Sequence, residues 1–218
     1  MLSPEAVIVA GAAGMSSLGA LFAAFAASRA RALADWFVLL AGVVLSLGVL
    51  THLAPEALSL RSDGWAFICL GAAFGGLTEL LVQRRKAKMA DPARLGAWVS
   101  LGALMLHSTL DGAAYSASFG HSEVSGIVAG TGLILHEAPE GVAAMLLALQ
   151  TGLRSSIAPL AALVASAATT PLGWALAHGL GERAHGSMEI MFALSAGLLT
   201  YVGLRLLVSG WRAVRART

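Results

Sequence analysis

The chain has 218 residues, 57% of them hydrophobic and only 12% charged, with a formal net charge of +2. Soluble domains carry about 25% charged residues, so the composition excludes an ordinary water-soluble domain and makes lipid the solvent to reason with. The one cysteine, Cys69, excludes an internal disulfide, a thiolate zinc finger and a dithiol redox motif, which leaves His, Asp and Glu to build any metal site.

Crossing about 30 Å of hydrocarbon takes about 20 apolar residues in a helix. Apolar runs of that length, read against charged punctuation, predict spans near 5–28, 34–54, 64–83, 95–118, 124–150, 155–178 and 187–211. All are expected to be helices, because open strands cannot satisfy their backbone in lipid. The predicted fold class is therefore an all-α, polytopic membrane bundle of about seven transmembrane helices in a single domain, 1–218.

The first run begins after Glu5 without a basic segment ahead of it and lacks a small-residue cleavage signal, so it is expected to be a retained helix. Between the third and fourth spans, a charge run and Pro92 mark a linker over 84–94. Glu79, near the inner end of the third span, reads as an exit-path ligand or as a snorkelling acid paired with Arg84; the second is the expectation, which leaves it outside the site. Gly71 and Gly75 have the small-xxx-small spacing that lets membrane helices approach closely.

Arginine and lysine fall mainly on one side of this topology: Arg29, Arg31, Arg84, Arg85, Lys86, Lys88, Arg94, Arg154, Arg212, Arg215 and Arg217. The opposite side holds Arg61 and Arg183. The positive-inside rule places the N-terminus outside and the C-terminus in the cytoplasm. The outer face then collects Glu5, Glu56, Asp63, Glu123, Glu182 and Glu189 with His52, His121, His178 and His185. This reads as solvated loop charge or as a cation-attracting mouth.

Ionisable groups inside a span cost several kcal/mol and mark pathways or sites. The fourth span holds His107-Ser108-Thr109-Leu110-Asp111-Gly112, with His107 and Asp111 at i and i+4, on one face. The fifth repeats the geometry with His136 and Glu140 in His136-Glu137-Ala138-Pro139-Glu140-Gly141. His107 lies twelve residues past Leu95, and His136 twelve past Val124 from the other side, so both sit at a depth of ~18 Å. Two imidazoles and two carboxylates meeting at the midplane suit Zn²⁺ and accept Fe²⁺, Mn²⁺, Co²⁺ or Cd²⁺; Cu(I) wants softer ligands. Pro139 removes a backbone donor inside the fifth span, a common way to kink a membrane helix.

These motifs resemble those of the ZIP family of zinc and iron transporters, whose fourth helix carries His-Asn-x-x-Asp-Gly and whose fifth carries His-Glu-x-Pro-His-Glu or His-Glu-x-Pro-Glu-Gly. The matching residues are His107, Asp111, Gly112, His136, Glu137, Pro139, Glu140 and Gly141. The segments His52-Leu53-Ala54-Pro55-Glu56-Ala57, Pro171-Leu172-Gly173 and Ala196 to Val202 are similar to further stretches of the family. The resemblance implies a primary metal site of His107, Asp111, His136 and Glu140. It also implies a weaker neighbour formed by Ser108, Glu137 and a shared Glu140, and an elevator-like shift that carries metal into the cytoplasm.

Ser108 stands where the family usually has asparagine, Thr170 where some members have glutamate, and Arg205 where an acid is common in the seventh helix. The family has eight helices, and the eighth has no counterpart in the present reading.

The function expected is a divalent-cation transporter in a prokaryotic inner membrane, with Zn²⁺ as transported substrate, no organic cofactor and no nucleic-acid partner. Its partners are the ions and the lipid bilayer, and a homodimer is left open. An intramembrane zinc hydrolase would need an open metal position and a general base, and such enzymes usually rely on three histidines. The carboxylate-rich set here favours exchange over hydrolysis, with a metal sensor as the remaining alternative.

Overall fold

In the computed structural model, which describes residues 3–29, 34–86, 91–121, 123–180 and 182–216, the described residues form helices joined by short turns, with no strand among them. The helices are α1 (Pro4–Arg29), α2 (Ala34–Gly48), α3 (Ala54–Leu60), α4 (Gly64–Lys86), α5 (Pro92–His121), α6 (Glu123–Gln150), α7 (Ala158–Ala162), α8 (Thr169–Leu180) and α9 (Glu182–Arg215). Wide π-type turns at Val49–Leu53 and Leu163–Ala168 join α2 to α3 and α7 to α8.

Both π segments have the same cause. Pro55 and Pro171 follow them, and a proline ring clashes with the carbonyl four residues back. Widening the preceding turn moves that carbonyl away while the chain stays helical, as π-bulges do elsewhere. Pro139, by contrast, is absorbed within an unbroken α6.

Helix ends differ from the apolar boundaries at the third span. The structure runs α4 to Lys86 instead of ending it near 83, because Gln, Arg and Lys are good helix formers and leaving the hydrocarbon does not end a helix. The connection to α5 is correspondingly shorter than 84–94. Gly152, with φ of 82°, reverses the chain after α6 in the left-handed conformation that glycine adopts freely.

Among the described residues, four segments are long and apolar enough to cross a membrane: Pro4–Ala26, Gly64–Leu81, Ala158–Gly179 and Glu189–Arg215. A shorter apolar helix covers Asp35–Thr51. The 30 residues of α5 and 28 of α6 reach ~45 and ~42 Å at 1.5 Å per residue, but these two carry the ionisable groups.

The distribution of side chains is inverted relative to a water-soluble protein. Phe22, Trp36, Leu50, Trp65, Leu70 and Leu160 are exposed, whereas His107, Asp111, Glu137 and Glu140 are fully buried. Apolar surface of this extent has no stable place in water, and buried charge of this kind is what a membrane bundle hides from lipid.

Two groups of helices meet in the middle. Helix α1 packs along α6, and α5 along α6 and α8; α2 and α4 pack along α9; a long α5–α9 seam joins the groups. The close crossings rest on glycine. A Cβ on Gly173 would strike the Thr109 backbone across α5–α8, and one on Gly141 the Ser16 backbone across α1–α6. Gly71 packs against Gly197 and Leu194 of α9, and Gly75 against Tyr201, so the spaced pair on α4 forms a helix crossing as its spacing predicts.

Candidate metal site

Helix α5 brings His107 and Asp111 to one face, α6 does the same for His136 and Glu140, and the two faces meet. One potential ligand atom from each of these residues lies within 4.8 Å of all the others. His136 Nε2 is 2.7 Å from Asp111 Oδ2, and His107 Nε2 is 3.4 Å from the same oxygen and 3.6 Å from Glu140 Oε2. Tetrahedral ligands held ~2.0–2.1 Å from a zinc ion are themselves ~3.3 Å apart, so these separations are close to the edges of a coordination polyhedron.

Burial makes the arrangement costly without a cation. His107 and Glu140 are 0% exposed and Asp111 1%, yet His107 Nε2 and Glu140 Oε2 have no hydrogen-bond partner among the described residues. A buried polar atom left without a partner costs about 1–3 kcal/mol, more if charged. A divalent cation between these atoms would satisfy both and offset the mutual repulsion of the carboxylates.

The orientation of His107 is set by a residue that the sequence motifs do not indicate. Ser195 on α9 places its Oγ 2.6 Å from His107 Nδ1 and donates to Asp111 Oδ1 at 2.9 Å. A carboxylate oxygen can only accept and a serine has one proton, so the hydroxyl donates to Asp111 and accepts from Nδ1–H. That tautomer leaves the Nε2 lone pair facing the cluster, the outer hydrogen bond that metal-binding histidines use. In sequence Ser195 is one small residue in Ala193-Leu194-Ser195-Ala196-Gly197, indistinguishable from a packing serine.

Ser108 and Glu137 are placed differently from the four. Ser108 Oγ donates to Glu140 Oε1, steering the other carboxylate oxygen toward His107. Glu137 is fully buried beside the hydroxyl of Tyr115. It adjoins the four-residue group without belonging to it.

Glu79 is corrected. Its partner is Arg205 on α9, at 3.1 Å, not Arg84, and it also accepts from Tyr201 and Gln83. The long arginine of α9 reaches the carboxylate through the gap left by Gly96, which a sequence reading along α4 alone cannot reveal.

The acidic end of the bundle is partly neutralised. Arg61 grips Asp63 with two hydrogen bonds of 2.8 Å and lies 3.8 Å from Glu189. Its guanidinium, by donating to Asp63, holds that carboxyl below the usual range, and is itself raised by the same bond. Glu5 accepts from Trp174, whose ring is 5.7 Å from that of His178. The side chains of His52, Glu56, His121, Glu182 and His185 lie outside those described.

The sequence profile of the family described as ZIP Zinc transporter matches residues 82–210, which include all six candidate residues and Ser195. No curated protein matches the chain.

Proposed function

The chain belongs to the ZIP zinc transporter family, and on that premise we propose that it carries divalent cations, zinc first, through the buried site of His107, Asp111, His136 and Glu140. ZIP proteins are integral membrane transporters of divalent metals rather than enzymes, so transport is the frame for every residue in the site. The observation that carries the reading is the pair of buried atoms, His107 Nε2 and Glu140 Oε2, which lack a hydrogen bond among the described residues and lie 3.6 Å apart beside the Asp111–His136 pair.

Two neutral imidazoles and two carboxylates make a net dianionic, borderline site, matched to Zn²⁺ and open to Cd²⁺, Fe²⁺, Mn²⁺ and Co²⁺. No thiolate holds the ion, which favours release. Glu137, with Ser108 on Glu140, offers a second, weaker position beside the first. Seven crossings, with α2–α3 and α7–α8 each forming one, put this centre midway through the bilayer, and the basic end faces the cytoplasm. Metal then moves inward. An apolar groove of about 380 Å³ lies between α2 and the α1–α6 pair, bordered by Pro139, and an elevator-like shift would move the two helix groups past each other along it.

Calorimetry on the purified protein and zinc flux into proteoliposomes test the proposal together. The expected result is saturable Zn²⁺ binding and flux, with His107→Ala and Asp111→Ala each losing at least tenfold in affinity. Undiminished binding in both variants would remove these residues from the site.

A further inference from the structure

Away from the metal cluster, toward the end where α4 finishes and α5 starts, the bundle holds a second buried polar assembly. Glu79 on α4 lies 3.1 Å from Arg205 Nε, accepts from the Tyr201 hydroxyl at 2.7 Å, and accepts from Gln83 at 2.9 Å. Ser100 on α5 in turn donates to Tyr201 Oη at 3.3 Å. The ion pair is sheltered, with side chains 14% and 18% exposed, and it fills the space beside Gly96 of α5, where a Cβ would strike both the guanidinium and the carboxylate.

Helices α5 and α9 run antiparallel, and their contacts keep one register: Ser195 meets His107, Tyr201 meets Ser100, and Arg205 meets Gly96. The metal-bearing helix is thus tied to α9 at the site by Ser195 and again, two turns away, by this network. A slide or tilt of α5 against α9 breaks both ties. Between the network and the end of α9 lies a pocket of about 280 Å³ lined by Leu204, Val208 and Arg212 besides the network itself, so these side chains stand between the interior and that face.

Desolvating an ion pair offsets most of its attraction, and apolar replacements are often as stable, so stability alone does not account for its presence in a membrane bundle. We propose that Glu79 and Arg205, with Tyr201 and Ser100, form a latch that closes the metal site toward the α4–α5 end and must part for metal to pass on that side. Arg205 and Glu79 are positioning residues here, acting on α5 and not on the ion. The latch rests on the transport reading above.

The test uses a reporter on α5. Ala103 is buried and lies on the same face of α5 as Gly96, Ser100 and His107 by its spacing, so Ala103→Cys in a Cys69→Ser background reports exposure of that seam to a water-soluble maleimide. Labelling should be slow with the latch intact and at least about tenfold faster in Arg205→Gln or Glu79→Gln, while the swapped pair Glu79→Arg with Arg205→Glu returns it toward the slow rate. Zinc affinity should stay within about twofold throughout, which separates an opened latch from an unfolded protein. Should a charge variant fail that check, Tyr201→Phe, which removes only the hydroxyl linking Ser100 to Glu79, must also speed labelling. Labelling that stays slow in every folded variant would overturn the latch. Loss of zinc flux in the unaltered protein would overturn the transport reading and leave the labelling result standing.

Discussion

A histidine binds a metal only through a lone pair, and at His107 the tautomer that offers one is selected by Ser195, not by either neighbour in the motif. Removing that hydroxyl frees the ring to flip or to place its proton on Nε2. Outer partners of metal-binding histidines typically contribute 10–100-fold to affinity, so Ser195→Ala should weaken zinc binding by about that factor. Ser195→Thr, which keeps the hydroxyl, should lose much less. Calorimetric titration of both variants decides it, and equal affinities for the alanine and threonine proteins would assign Ser195 to packing alone. The four clustered residues were legible because i, i+4 spacing on a helix is a local property that survives any arrangement of the other helices. Ser195 was not, since its role exists only through a contact 88 positions away, and the same holds for Arg205 with Glu79.

At the scale of elements, the site depends on how closely α8 and α1 press on the two metal-bearing helices. Gly173 of α8 lies against the backbone of Thr109, one residue from Ser108 and two from Asp111, while Gly179 of the same helix has no atom of the described residues within 4 Å of where its Cβ would be. A valine at Gly173 must push two backbones apart, and overpacking of that kind costs about 1–3 kcal/mol; at an open position the change is within about 0.5 kcal/mol. Gly173→Val should therefore lower the thermal midpoint of the detergent-solubilised protein and weaken zinc binding by displacing α5. Gly179→Val should leave both nearly unchanged. Comparable losses in the two variants would show that the close crossing at Gly173 is not responsible, since valine is the better helix former at both positions. Helix type was readable from apolar length, but helix ends were less so. The basic end of α4 continues past the apolar run because solvated Arg and Lys keep the helical geometry, and the π turns before Pro55 and Pro171 arise from a carbonyl clash that hydropathy does not register.

For the molecule as a whole, the direction of transport follows from which end of the bundle faces the cytoplasm. The α4–α5 end carries Arg84, Arg94, Arg154, Arg212 and Arg215, whereas at the opposite end Arg61 is committed to Asp63 and Glu189. Exposed Trp36, Trp98 and Trp211, near the start of α2, the start of α5 and the end of α9, border the basic end, and Trp65 borders the other, as interfacial tryptophans do. Basic residues resist translocation across the membrane during insertion, so the arginine-rich end should remain inside. In a Cys69→Ser background, Glu123→Cys should react with an impermeant maleimide in intact cells, and Arg84→Cys only after permeabilisation. Both positions are exposed, so a silent cysteine reports sidedness and not burial. The reverse pattern would place the latch at the outer face and make it a gate for metal entry instead of release.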